Sequence, residues 1–507
     1  MISRVAAAGT VRYPPLRLAL AAVVGLLSLV PLGYVVASVA SAGSGIGDLL
    51  WRPRVGVLLV HTVLVVGLGS AGSVLVGGAA AYLVERTGLP GRRVWTAVLA
   101  APLAVPAFVI SFGWSSWQPG FAGLLPCVLV STLAYYPLVF LPVAAALRGL
   151  DPAVEEAARA LGDGPVRTFF RTVVPRLRPA AIGGALLVAL HLLAEFGAIQ
   201  QLRYDTFTTA IYDQYQSTFD GSGASALAGV LVLLCLLVLG GEAGLAGRRR
   251  TARIGGGAAR VKTARTNRFR YAAPLPLTVI VVASLGVPAG VVVWWLVTST
   301  STAFPAALLA RTAGSTVLLS AAGAAITTAL ALPVAWLVER RRGLAPKLIE
   351  RAGYVGNSLP GIVVALALIT IAIRYVPSLY QSTAMLLAAY SVLFLPLAVV
   401  SLRASLRHIP PELDDVARSL GLRPAGVLWR VTVPLVARGA GAGAALVFLA
   451  VMTELTATLL LAPIGTNTLA TQFWSYSSEL HYGAAAPFAL LMIVLAAPAT
   501  LLLTRRA

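Results

Sequence analysis

Long apolar runs along this chain alternate with short polar segments that carry most of its arginines. The runs are continuous and do not alternate residue by residue, which argues against a β-barrel. Most reach about 20 residues, the length a helix needs to cross a bilayer. The pattern predicts an all-α polytopic membrane protein with about 12 transmembrane helices, six in each half. The first six fall at 18–40, 57–84, 94–113, 121–147, 180–200 and 224–244. The second six fall at 274–298, 312–338, 352–373, 383–402, 439–462 and 484–504. Many contain Gly or Pro, which membrane helices tolerate when neighbours satisfy the freed backbone groups.

Composition supports this class. Apolar residues make up 58% of the 507 residues and charged residues 11%, against roughly a quarter charged in a soluble protein. A net charge of +21 invites a nucleic-acid reading, but the basic residues follow topology and form no patch. With the N-terminus in the cytoplasm, the inside segments are the N-terminus, 85–93, 148–179, 245–273, 339–351, 403–438 and the C-terminus. They hold 34 of the 39 Lys and Arg, leaving Arg52, Arg54, Arg203, Arg311 and Arg374 for the other side. This bias sets both termini in the cytoplasm under the positive-inside rule and predicts no nucleic-acid partner. Arg4, Arg12 and Arg17 precede the first run, whose length favours a retained helix over a cleaved signal despite Ala40-Ser41-Ala42. Cys127 and Cys235 both lie in apolar runs and suggest neither a disulfide framework nor a metal site.

The chain is internally duplicated. Glu155 to Pro175 and Asp414 to Pro434 align without a gap at an offset of 259, matching Ala158 with Ala417, Arg159 with Arg418, Gly162 with Gly421, and Pro175 with Pro434. Tyr136-Pro137-Leu138 aligns with Leu395-Pro396-Leu397, and Glu195 with Glu454, at the same offset. Ala81-Tyr-Leu-Val-Glu-Arg86 recurs as Ala335-Trp-Leu-Val-Glu-Arg340. Each half enters and leaves on one side, so the repeats are parallel. The expected organisation is a first unit at 1–244, a basic cytoplasmic linker at 245–273 containing Gly255-Gly256-Gly257, and a second unit at 274–507. The linker reads as a flexible tether near anionic lipid.

The duplicated loops, 151–175 and 410–434, are polar and too short to span. Asp151 can cap a helix whose first turn holds Pro152 and Glu155, and Gly162 can stop it in a left-handed conformation. A second short helix, 165–173, is expected to end before Pro175. The second copy repeats the design, with Asp414, Asp415, Gly421 and Pro434.

The spacing Glu156-Ala157-Ala158, three residues, Gly162, then Pro175 resembles the EAA loop of ABC importer permeases. The resemblance covers essentially the whole chain, and with Arg203 to Tyr212 after the fifth span it is most similar to ferric-iron importer permeases. Thiamine and aminophosphonate importers are near relatives. The resemblance implies that each loop forms a coupling helix docking into a cytoplasmic ABC ATPase, two copies in all, through Glu155, Glu156, Ala158, Arg159 and Gly162 and through Asp414, Asp415, Ala417, Arg418 and Gly421. It also implies an extracytoplasmic substrate-binding protein, a bacterial cytoplasmic membrane location and alternating access. Asp415-Val416-Ala417 departs from Glu-Ala-Ala, so the two contacts are expected to differ in strength.

No G-x-x-x-x-G-K-[ST] phosphate loop occurs, so ATP and its Mg belong to the partner ATPase. No cofactor and no enzymatic activity are expected on this chain. An ion-gradient-driven transporter, or the same machinery carrying thiamine, an aminophosphonate or a polyamine, stays open as an alternative. Intramembrane ionisable residues are costly and default to functional candidates. Glu195 and Glu454, with His191 four residues before the first, are therefore candidates for a substrate path, with helix packing as the competing role. Tyr204, Asp205, Tyr212, Asp213 and Tyr215 offer hard oxygens that suit ferric ion, or a docking and anchoring surface, which we favour. His61 is expected to be a satisfied interfacial histidine.

Overall fold

The computed structural model describes residues 15–41, 51–217, 221–247, 271–300, 304–340, 343–357, 359–410 and 412–504. Within them the chain is helical and has no strand. Among the described residues eight helices are long and apolar enough to cross a bilayer, including Pro53–Arg86, Pro165–Ala194, Ala306–Arg340 and Arg430–Met452. Two expected spans are bent pairs. Arg92–Ala104 meets Ala107–Trp117 at 86°, and Leu124–Tyr135 meets Pro137–Arg148 at 44°. The first bend follows from Pro106, which holds Val105 extended at ψ 124°, as the residue before a proline prefers. The shorter apolar helices Gly361–Tyr375 and Tyr482–Ala496 fall at the two remaining expected places. Most of the 245–273 linker lies outside the described residues, as does Ala42.

Two expectations are corrected. The helix from Pro165 does not end before Pro175. It passes through a π turn, Phe169–Val173, into Val174–Ala194. The second copy does the same through Leu428–Thr432 into Val433–Met452. A π turn re-spaces the backbone bonding, so the proline, which lacks an N–H, sits in the first turn of the continuing segment without breaking it. The fifth span of each half also stops short of its expected end. Each breaks at its glutamate, Glu195 or Glu454, although the apolar sequence continues beyond it.

The chain forms two compact units. One comprises Met1–Gly33, Leu319–Asn357 and Leu387–Val451; the other comprises Tyr34–Leu318, Ser358–Leu386 and Met452–Ala507. The same contact appears inside each. Gly184 is packed so closely that a Cβ there would lie 2.8 Å from Val139 Cα. At Gly443, 259 residues on, a Cβ would lie 3.5 Å from Ala398 Cα and 3.1 Å from Ser401 Cβ. Membrane helices gain little hydrophobic drive against lipid and associate through such close backbone approach. The larger unit buries Tyr136, Phe140 and Leu147 among the second, fourth and fifth spans. It buries Phe108, Phe112, Phe473 and Phe488 in a second cluster.

Candidate functional site

The first duplicated loop opens with the helix Pro152–Ala160. Asp151 caps it: the Ala153 N–H donates to Asp151 Oδ1 at 3.0 Å. Gly162, at φ 92°, closes it. The Gly162 N–H donates to the Arg159 carbonyl and the Asp163 N–H to the Ala158 carbonyl, at 3.0 and 3.1 Å. This is the paired Schellman closure that glycine permits. Glu156 and Arg159 are exposed, and Leu161 is 88% exposed.

Glu155 points the other way. Its carboxylate is buried beside the guanidinium of Arg86, the last residue of the second span, with Oε1 to Nη2 at 2.8 Å. The contact is ionic, because its angles fall outside hydrogen-bond geometry. Glu85, fully buried next to Arg86, accepts from Arg92 and lies 3.4 Å from Arg148 Nε. The sequence showed the repeated Ala-x-Leu-Val-Glu-Arg pattern, but its chemistry was missed. The readable signal is an adjacent Glu-Arg pair closing an apolar span in both halves.

The second loop forms Glu412–Ser419. Gly421 stands at φ 85°, with its N–H donating to Arg418 and that of Leu422 to Ala417, at 2.9 and 3.1 Å. Ala417 is buried and Leu420 is 78% exposed. Asp414 and Asp415 lie on this helix, and their side chains are outside the described residues. Nearby, Glu339 lies 3.4 Å from Arg403 Nε and 3.3 Å from Arg407 Nε. Arg403 also pairs with Glu350.

At the break after the fifth span, Glu195 is extended, and its Oε1 accepts the Ala198 N–H at 2.9 Å, capping the helix Gly197–Gln201. Its Oε2 accepts from the Tyr135 hydroxyl. In the second half, Glu454 Oε1 accepts the Ala457 N–H at 2.8 Å, at the start of Thr456–Leu461. The residue matching Tyr135 there is Phe394, and the residue matching His191 is Ala450. His191 Nδ1 bonds the Leu187 carbonyl at 2.8 Å, and its ring stands 5.5 Å from that of Tyr135. Tyr135 is the residue that sequence reasoning missed, since a tyrosine in an apolar run gives no distinct signal.

A cavity of about 700 Å³ lies within the larger unit. Its lining includes Ser115, Gln200, Gln201, Arg203, Ser477 and Tyr482, and among the described residues Arg203 is its one charged group. Gln201 accepts from Ser111 and donates to Ser477 Oγ at 3.3 Å. Beside it Tyr204 is buried and stacks on His61 at 4.5 Å, while His61 Nδ1 bonds the Asp205 carbonyl at 3.0 Å. Tyr212 packs on Phe196 at 4.6 Å. Burial, reinforced by the charge of Asp205, pushes the Asp213 carboxyl above its usual range. Among the described residues no three His, Cys, Asp or Glu side chains gather as metal ligands.

Comparison with known proteins agrees with the duplicated design. Residues 73–251 and 331–505, one segment in each half, match the family described as binding-protein-dependent transport system inner membrane component. The chain is 35% identical over 492 residues to the Fe(3+)-transport system permease protein FbpB 2 of Haemophilus influenzae, covering 95% of this chain and 97% of that protein. It is 24% identical over 403 residues to the ferric transport system permease protein FbpB of Actinobacillus pleuropneumoniae, covering 75% and 57%. A shorter match, 30% over 181 residues, joins it to the molybdenum transport system permease protein ModB of Escherichia coli, covering 31% and 79%. With the family matched in both halves of a polytopic helical chain, this protein belongs to the inner-membrane components of binding-protein-dependent transport systems, the permease subunits of ABC importers.

Proposed function

We propose that this chain is the permease of an ATP-driven ferric-iron importer that works by alternating access. The observation that carries the mechanism is the pair of glycine-closed helices, each ending in an exposed leucine, Leu161 and Leu420. An exposed apolar tip on a polar surface helix suits a partner's groove. The two helices engage two copies of a cytoplasmic ATPase, and closure of that pair on ATP is passed to the spans. The arginine bias puts these helices and both termini inside, and a substrate-binding protein delivers cargo at the opposite mouth. Iron is the cargo named for two relatives, one of them similar along nearly the whole chain.

Glu195, Glu454 and His191 are assigned to the cargo path. What supports this is their accessibility: Glu195 and Glu454 are half-buried and His191 is exposed, while Phe196, Gly197 and Leu455 beside the glutamates are buried. The test is uptake of radiolabelled ferric iron into proteoliposomes holding this chain, its ATPase and the loaded binding protein. Accumulation that needs internal ATP is the expected result. Uptake that follows an imposed ion gradient without ATP would overturn the mechanism.

A second cargo reading is an oxyanion. Among the described residues the cavity presents Arg203 and no carboxylate, and one relative is named for molybdenum transport. Competition of iron uptake by molybdate or sulfate in the same vesicles separates the two.

A further inference from the structure

We infer that Arg86 is a positioning residue for coupling: it ties the Pro152–Ala160 helix, through Glu155, to the second membrane span. The inference rests on the importer reading above and adds the route by which the loop moves a span.

Arg86 ends the 34-residue helix Pro53–Arg86. Its side chain is 3% exposed and that of Glu155 is 9% exposed. Among the described residues, its Nε, Nη1 and Nη2 make no hydrogen bond, so the Glu155 carboxylate at 2.8 Å is its one counter-charge. A buried ion pair resists separation, because removing either partner strands a charge away from water. Displacement of the coupling helix therefore carries the end of the second span with it. Arg159 Nη2, 3.7 Å from Glu155 Oε2, steadies the carboxylate from within the same helix.

The neighbouring residue has a different attachment. Glu85 holds Arg92 and Arg148, which begin the third span and end the fourth. Two adjacent residues thus divide the work: Glu85 fastens span ends to each other, and Arg86 fastens them to the loop. The first arrangement recurs, since Glu339 meets Arg407 at 3.3 Å, and Arg407 lies 259 residues beyond Arg148. The sequence places Arg340 and Asp414 at the positions of Arg86 and Glu155, so the second half has residues for the same link. Glu156, exposed beside Glu155, is left to face the ATPase.

The experiment compares wild type, Arg86→Ala, Arg86→Glu and the exchange Arg86→Glu with Glu155→Arg. Each is reconstituted with the ATPase and the loaded binding protein. Co-purified ATPase, ATP hydrolysed and iron accumulated are measured on the same preparation. Both single variants are expected to retain the ATPase and to move less cargo per ATP, by about 5- to 150-fold, the usual range of coupling between sites. The exchange is expected to recover most of that loss, which distinguishes a lost link from a damaged fold. Wild-type cargo per ATP in Arg86→Glu would overturn the inference, as would an exchange variant no better than Arg86→Glu alone. If wild type itself neither binds the ATPase nor couples, the importer reading fails first.

Discussion

Each glutamate after the fifth span interrupts an apolar run, and its carboxylate takes up an N–H that the interruption frees. Glu195 caps at Ala198 and Glu454 at Ala457. Glutamine keeps the accepting oxygen but not the charge, and alanine keeps neither, so the two substitutions separate cap from charge. Glu195→Ala is expected to lose the cap, about 1 kcal/mol, together with the Tyr135 bond, about 1.5–3 kcal/mol, read as a lower melting temperature in detergent. Glu195→Gln, which keeps the cap and a neutral acceptor for Tyr135, is expected to melt between Glu195→Ala and wild type and to accumulate less iron. A Gln variant that transports normally would confine Glu195 to the structural role. The Tyr135 hydroxyl adds a charge-assisted bond to Glu195; Phe394 supplies none at the matching position. Tyr135→Phe should therefore cost about 1.5–3 kcal/mol, the range for a bond to a charged group, in the same melting assay.

The duplicated loop was legible where its chemistry is local. Asp151 before Pro152 and glycine after Leu161 specify a start and a stop without help from the rest of the fold, and both features are observed. Gly162→Val and Gly421→Val place a branched side chain at positive φ, at a cost of roughly 1–2 kcal/mol each. The double variant is expected to insert and assemble while cargo moved per ATP falls; normal uptake from a well-expressed double variant would count against the coupling role. Two features of the same element were not legible. Pro175 looks like a stop because the π turn before it is set by continuation of the helix into the span. The break at Glu195 is hidden because apolar residues continue on both sides, and the cap on Ala198, three residues on, is marked by a lone glutamate. The Arg86–Glu155 pair joins residues 69 apart, beyond the reach of any local pattern.

At the scale of the whole chain, duplication was the strongest signal, because two copies at a fixed offset need no structural assumption. The structure repeats it as matching contacts, Gly184 on Val139 and Gly443 on Ala398, and as matching clamps, Glu85 with Arg148 and Glu339 with Arg407. Two exposed leucine tips on one polypeptide have a consequence for the proposed docking. If a paired ATPase engages Leu161 and Leu420 together, the second contact forms at high effective concentration. Avidity of this kind exceeds either single affinity by roughly 10²- to 10⁴-fold. Leu161→Asp or Leu420→Asp alone should then weaken ATPase binding by about that factor, and the double variant should abolish it. Titration of the ATPase onto nanodisc-held permease reads both the affinity and the stoichiometry, expected at two ATPases per chain. The loops are not identical, since Glu-Ala-Ala at 156–158 faces Asp-Val-Ala at 415–417. The two single variants are therefore expected to differ in size, with the larger loss at Leu161, where the longer carboxylate of Glu156 reaches further. If one variant binds like wild type and the other not at all, a single loop carries the docking and the paired arrangement is wrong.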